Sequence, residues 1–391
     1  MEKHVCEQCI GDYALQELIN QGAVPSKCDY CAAVSEGQAI AAPISELMPR
    51  ILDALLTEWA DPGDEAVPWD SEEGRYIVPV YDSHDLLEME LDTTSEELLW
   101  DLTNLLGDRE WCQQNAARFT KEEEWLLDWK NFSDQLKHHT RYVFYRVEPE
   151  PGDIYEPARS PHEILDRIGE LVLELDLLRT VNVGTSIVRA RTHSALVAFS
   201  TVEELGPPPR DKARFSNRMS PAGIPMFYGS RREDTALNEV EGGDYATVAD
   251  FLTLQSFKVL DLTQIPHVPS LFDEQRNYLR PALKFLWNFQ EDLSKRIDKD
   301  GREHIEYVPT QVATEYFRRV FRDSENEPLR GIVYPSSRHE GGESWVLFFE
   351  NEDCTQDDRH DADGKWLSML TASVRRIDLS SRAIPPPVEL I

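Results

Sequence analysis

The sequence predicts an α+β protein in three parts: a cysteine-bearing segment over 1–40, a mainly helical region over 41–154 and a mixed domain over 155–391. Three observations carry this. Four of the six cysteines form two CxxC pairs separated by eighteen residues. Apolar residues between 44 and 136 recur at helical spacing. Beyond residue 155, short β-like runs alternate with helical stretches, which is the texture of a mixed sheet covered by helices.

The whole chain sets the outer bounds. Its 391 residues, 41% hydrophobic, suffice for two or three globular domains. Forty Lys and Arg against 72 Asp and Glu give a formal charge of −32. Such a surface repels phosphate backbones, so neither nucleic acid nor an anionic membrane face is expected as a partner. The start, Met1-Glu2-Lys3-His4-Val5-Cys6, has no apolar run behind a basic stretch, and no segment approaches the ~20 apolar residues of a membrane helix. A cytoplasmic location is the expectation.

In the first part, Cys6, Cys9, Cys28 and Cys31 supply four thiolates at the spacing of two zinc knuckles. Disulfides are disfavoured without a secretion signal, and a redox dithiol would need only one CxxC. Four cysteines leave no open ligand position, so the expected metal is structural Zn2+. It would stabilise a segment too short to fold on its own core. Cys112 and Cys354 read as ordinary buried residues.

In the second part, Ile44, Leu47, Ile51, Leu52, Leu55, Leu56 and Trp59 mark a helix. Thr94 with Glu97 predicts a capping box for a helix ended by Gly107, and Thr120 with Glu123 predicts another. Tyr142–Val147 alternates like a strand, and Glu148–Asp153 reads as a linker.

In the third part, Ser160-Pro161 starts a helix. β-like runs follow at Thr185–Arg191, Ala195–Ser200, Pro225–Tyr228, Phe257–Leu260, Gly331–Tyr334 and Ser344–Phe349, with helices at Tyr278–Arg296 and Thr310–Val320. Ile384–Pro387 reads as a surface strap. Between Gly206 and Arg232 lie Arg210, Lys212, Arg214, Arg218, Arg231 and Arg232 against one acid, Asp211. This basic island in an acidic chain reads either as a solvated loop paired with acidic patches elsewhere or as a pocket for a small, multiply charged anion, since the planar fork of arginine binds phosphate oxygens in pairs.

The island continues as Arg218-Met-Ser-Pro-Ala-Gly223-Ile-Pro225-Met-Phe-Tyr228, with Glu239 eleven residues on and Gly331-Ile-Val-Tyr-Pro335-Ser336 further downstream. This pattern resembles the RES domain, named for its Arg, Glu and Ser, over roughly 170–350. The resemblance implies an ADP-ribosyltransferase-like fold for the C-terminal domain and NAD+ as substrate. It implies Arg218, Tyr228, Glu239 and Ser336 as signature residues, Ser336 being preferred to the adjacent Ser337 by the Pro-Ser pattern. Ile187–Arg191 looks like the family's opening strand, with Arg189 or Arg191 facing the pocket and binding NAD+ alongside Arg218 and Tyr228. Tyr307–Gln311, with Glu315 and Tyr316, and the N-terminal region resemble parts of longer HEPN/RES members. No Arg-x4–6-His motif is present, so no RNase role is expected of that extension.

Singly, each signature residue has an ordinary reading: Glu239 a paired helix acid, Tyr228 a core aromatic, Ser336 a turn residue. Order and spacing together carry the resemblance. Nicotinamide leaves NAD+ neutral and needs no general acid, so one carboxylate beside an oxocarbenium-like ribose suffices. Glu239 takes that role, Arg218 clamps the pyrophosphate, Tyr228 packs on nicotinamide or ribose, and Ser336 hydrogen-bonds substrate. The resemblance thus implies a bacterial toxin, in a toxin–antitoxin setting, that hydrolyses or phosphorolyses NAD+. The alternatives are ADP-ribosylation of a protein and a catalytically silent nucleotide-binding sensor. An antitoxin protein and a homodimer are the implied partners.

Overall fold

The computed structural model describes residues 2–115, 119–146, 159–194, 199–240, 242–295, 301–357 and 364–380. The linker Glu148–Asp153, the strap Ile384–Pro387 and most of the run Ala195–Ser200 lie outside them. The described residues fall into two compact units: one takes in Met1–Glu124 and His267–Lys284, the other Trp125–Glu150, Ala158–Pro266 and Phe285–Ile391. No helix among them is long and apolar enough to cross a membrane.

The first unit is mainly helical. His4–Cys6 pairs antiparallel with Ala41–Pro43, so both ends of the cysteine-bearing segment share one small sheet. Between them the helix Tyr13–Gly22 starts on Asp12, whose carboxylate accepts from the Ala14 and Leu15 amides. Its Leu15 and Ile19 are fully buried with Leu47 and Ile51 of the helix Ile44–Glu58 and with Leu98 and Leu102 of the helix Glu96–Leu106. Val5, Cys6, Cys9 and Cys28 belong to the same core, as do Leu271 and Phe272 from far along the chain. The cysteine segment therefore shares a core with the helices, and a metal would add to that packing.

Local signals hold to within a residue. The helix expected from Thr94 is capped by Ser95, whose hydroxyl accepts from the Leu98 amide. The box at Thr120 and Glu123 forms reciprocally, and so does one at Ser160 and Glu163, with Pro161 in the first helical position. The strand expected over Tyr142–Val147 is a correction: Phe144–Arg146 forms a 3-10 turn. Alternation makes a strand only where a neighbouring strand completes its hydrogen bonds, and Tyr142 is 90% exposed.

The second unit is built on a ten-stranded mixed sheet. Its strands in chain order are β1 (Leu178–Val181), β2 (Ser186–His193), β3 (Phe227–Ser230), β4 (Tyr245–Thr253), β5 (Phe257–Asp261), β6 (Gly331–Pro335), β7 (Glu343–Leu347), β8 (Cys354–Gln356), β9 (Leu367–Met369) and β10 (Arg375–Asp378). Their order across the sheet is β8-β9-β4-β2-β3-β7-β6-β5-β1, with β10 also paired to β4. All pairings but β5–β6 and β8–β9 are antiparallel.

Strand alternation gives this sheet two faces. Ile187, Phe227, Val333, Trp345 and Leu347 face one apolar core with Phe251, Phe257 and Phe349. Val188 and Ala190 face the other side, against Ala236 and Leu237 of the helix Glu233–Glu239. Tyr228, Ser230, Tyr334 and Ser344 share that second side, because Ser230 pairs with both Val188 and Ser344, and Tyr334 pairs with Ser344.

Candidate active site

Glu239 ends its helix on the second face of the sheet. Its Oε1 accepts two hydroxyl hydrogen bonds, from Ser336 Oγ at 2.5 Å and from Ser344 Oγ at 2.8 Å. Both serines are buried. Ser336 lies just past the end of β6, in a turn closed by its amide to the Gly342 carbonyl (2.8 Å) and by the Gly342 amide to the His339 carbonyl (2.9 Å). His339 Nδ1 and Thr235 Oγ1, 2.6 Å apart, tie the turn to the helix one turn before Glu239. Gly342 is required here, since a Cβ would lie 2.7 Å from Thr235 Oγ1.

Arg218 sits in an irregular loop whose backbone is held by the helix Val308–Arg319. Thr310 Oγ1 donates to the Arg218 carbonyl at 2.7 Å, and Gln311 Nε2 donates to the Asn217 carbonyl at 2.8 Å. The half-buried guanidinium donates from Nη1 to the Leu293 carbonyl at 3.1 Å. The Tyr228 hydroxyl lies 2.8 Å from Ser220 Oγ in the same loop. Burial pushes the Tyr228 phenol up to about 12, against the pull of Ser220, the Met219 amide and the fields of Arg189 and Arg218.

Arg218 and Glu239 share neighbours. Burial pushes the Tyr334 phenol up; the Glu239 carboxylate adds to this and Arg218 opposes it. Burial lowers the Arg338 guanidinium, which Glu239 favours in its charged form and Arg218 disfavours. The Arg338 amide donates to Ser336 Oγ at 3.2 Å. Arg218, Tyr228 and Glu239 thus all act electrostatically on Tyr334, and Ser336, Ser344 and Arg338 are linked to Glu239 or to one another by hydrogen bonds and charge. Those last two escape sequence reasoning: Ser344 is one serine in an apolar strand, and Arg338 follows the Pro-Ser pair without a motif of its own.

Arg189 and Arg191 lie elsewhere. Two residues apart on β2, they share the face of Ile187 rather than that of Tyr228. Arg189 donates to the Leu205 carbonyl at 2.6 Å and to the Tyr228 carbonyl at 2.7 Å, and its guanidinium sits 5.1 Å from the Phe227 ring centre. Burial, with Arg191 next, lowers it to about 10. Arg191 donates to the Glu204 carbonyl and lies over the Phe199 ring. Within the basic island, Arg210 is held by Glu350 at 2.5 Å and Arg232 by Asp234 at 2.8 Å. A cavity of about 500 Å³ opens beside these strands, lined by Arg179, Thr185, Arg231, Arg232, Glu343 and Trp345 among others. Its lining does not include Arg218, Tyr228, Glu239 or Ser336.

In the first unit, the sulfurs of Cys6, Cys9, Cys28 and Cys31 lie within 4.8 Å of one another and could hold a metal ion. Cys6 is 3.8 Å from Cys9 and 3.5 Å from Cys31, and Cys9 is 3.7 Å from Cys28. These are not disulfide lengths. Tetrahedral thiolate ligation with Zn–S of about 2.3 Å puts sulfurs about 3.8 Å apart, so the residues fit that ion. Cys112 and Cys354 are buried single thiols.

Known proteins were compared with this chain. Residues 187–368 match the family model described as RES domain, beginning within β2 and ending within β9. Residues 21–150 match the model described as HEPN/RES N-terminal domain 1, which takes in Cys28 and Cys31 and begins after Cys6 and Cys9. No curated protein and no solved structure matches the chain. The chain thus carries a RES domain over residues 187–368, preceded by an HEPN/RES N-terminal domain 1 over residues 21–150.

Proposed function

We propose that the second unit, read as an ADP-ribosyltransferase-like fold, cleaves the bond between nicotinamide and ribose in NAD+. The RES domain is associated with NAD+-related toxin function, and the family suggests NAD+ processing. The observation that carries the finer reading is the Glu239 carboxylate, anchored by two buried hydroxyls and sharing Tyr334 and Arg338 as neighbours with Arg218. In the step proposed, the C1′–N1 bond breaks and its electron pair stays on nitrogen, converting the pyridinium into neutral nicotinamide. The ribose carbon becomes oxocarbenium-like, and Glu239 stabilises that positive charge. Oxygen of water or phosphate then bonds to C1′, water releasing a proton to solvent.

Arg218 is assigned to the pyrophosphate. A guanidinium has five N–H donors, and among the described residues this one uses a single donor. Arg338 adds positive field, and Tyr228 supplies an aromatic wall. Ser336 spends its hydroxyl on Glu239, so its role is to orient the acid rather than to touch substrate. The test is incubation of the full chain with NAD+, in water and with phosphate, followed by nicotinamide and product identification. Release of nicotinamide, lost in Glu239→Ala, is expected. A folded wild type that releases none overturns the reading.

The four-cysteine cluster is proposed to hold structural zinc. No ligand position is left for water, so the ion would knit Cys6 and Cys9 to Cys28 and Cys31 and take no part in chemistry. One equivalent of zinc per chain is expected in metal analysis. A strong chelator should lower the thermal midpoint by several degrees, and zinc should restore it. An unchanged midpoint in a metal-stripped chain contradicts a structural ion.

A further inference from the structure

The second hydroxyl on Glu239 belongs to a residue that no motif marks. Ser344 is 3% exposed and lies on β7, where its backbone is paired on both sides, with Ser230 of β3 and with Tyr334 of β6. Its Oγ donates to Glu239 Oε1 at 2.8 Å. Ser336 donates to the same oxygen from a turn, and its own Oγ also accepts from the Arg338 amide. One donor is thus fixed by a strand in mid-sheet and the other by a loop. Both fall on Oε1, while Oε2 has no partner among the described residues.

We propose that Ser344 is a positioning residue that locks the Glu239 carboxylate, leaving Oε2 as the oxygen offered to substrate. The inference rests on the reading of Glu239 as the ribose-facing acid. A carboxylate turns broadly about its last torsion, since terminal sp³–sp² torsions have no sharp staggered wells. Two hydroxyls arriving at one oxygen from different elements remove that freedom. Ser344 can do this because alternation on β7 sends Glu343, Trp345 and Leu347 to the opposite face and Ser344, with the apolar Val346, to the face that carries the helix of Glu239. The lock is made of neutral hydroxyls, so it leaves the positive field of Arg218 and Arg338 undiminished.

The test compares Ser344→Ala, Ser344→Thr, Ser336→Ala and the double alanine variant in the full chain. In Ser344→Ala, kcat for nicotinamide release should fall about 10-fold, with KM for NAD+ changed less than about 2-fold. Ser344→Thr keeps the hydroxyl and should recover most of the loss. The double variant should lose less than the product of the single losses, because both serines act through one oxygen. Unchanged kcat in a folded Ser344→Ala overturns the proposal. So does a Thr variant no better than Ala, which would assign the residue to packing. If wild type releases no nicotinamide, the functional reading fails instead. The lock is then read from crystal structures, in which the Glu239 carboxylate should be ordered in wild type and rotated or spread over orientations in Ser344→Ala. An unmoved carboxylate overturns the lock alone.

Discussion

The two faces of the central strands β2, β3, β6 and β7 use the same residue types to opposite ends. On one face Arg189 lies over Phe227, next to a core of Phe251, Trp345 and Leu347. Two of its five donors go to the backbone carbonyls of Leu205 and Tyr228. On the other face Glu239 has both hydroxyl partners on one oxygen, and Arg218 uses one of its five donors among the described residues. An arginine tied to two backbone carbonyls and lying over an aromatic ring is a brace; one held by a single carbonyl and half-buried in an irregular loop is suited to a ligand. The surroundings of the guanidinium, rather than residue type, separate structural polarity from functional polarity here.

Removing each arginine in turn tests this contrast with the largest expected effect. Arg218→Ala removes charge-assisted donors from the proposed pyrophosphate contact and should lower kcat/KM for NAD+ about 10- to 100-fold, with little change in stability. Arg189→Ala should do the reverse. It leaves two carbonyls without their donor and an empty place beside Phe227, at a cost of about 2–4 kcal/mol in unfolding free energy. Denaturant melts and NAD+ saturation curves on the two variants separate the outcomes. A stable Arg189→Ala chain with a raised KM would move the binding face to the Arg189 side and break the contrast.

How much of this is legible in the sequence depends on whether the signal is local. The cysteine pairs, the Thr120 box and the Ser160-Pro161 start are sequence neighbours, and each forms within a few residues of itself. The signature Arg218, Tyr228, Glu239 and Ser336 is read from a resemblance, since 118 positions separate its ends and no periodicity links them. Ser344 is illegible, because its meaning comes from the register that sets it opposite Tyr334 and Ser230. The faces of Arg189 and Arg191 are half legible: alternation already requires both to share a side, and only the pairing of β2 with β3 decides which. β4, the longest strand of the sheet, goes unmarked, because Tyr245–Thr253 is buried along most of its length and lacks clean alternation.

The smallest expected effect concerns the tyrosine shared by both faces, Tyr228, whose carbonyl serves Arg189 and whose hydroxyl lies against Ser220 in the loop that carries Arg218. Burial raises its phenol to about 12, against about 10 for an exposed tyrosine. The folded-state value lies above the unfolded one, so the neutral phenol's contribution to stability is complete below about pH 10. It is lost as pH rises toward 12. Neutral-pH activity should not register this titration. A rapid pH jump, read by tyrosinate absorbance before unfolding and compared with Tyr228→Phe, should show one phenol missing from the variant and ionising near 12. Ionisation near 10 would mean that water reaches the hydroxyl freely. The Arg218 face would then be an open surface, and the difference in solvation between the two faces would disappear.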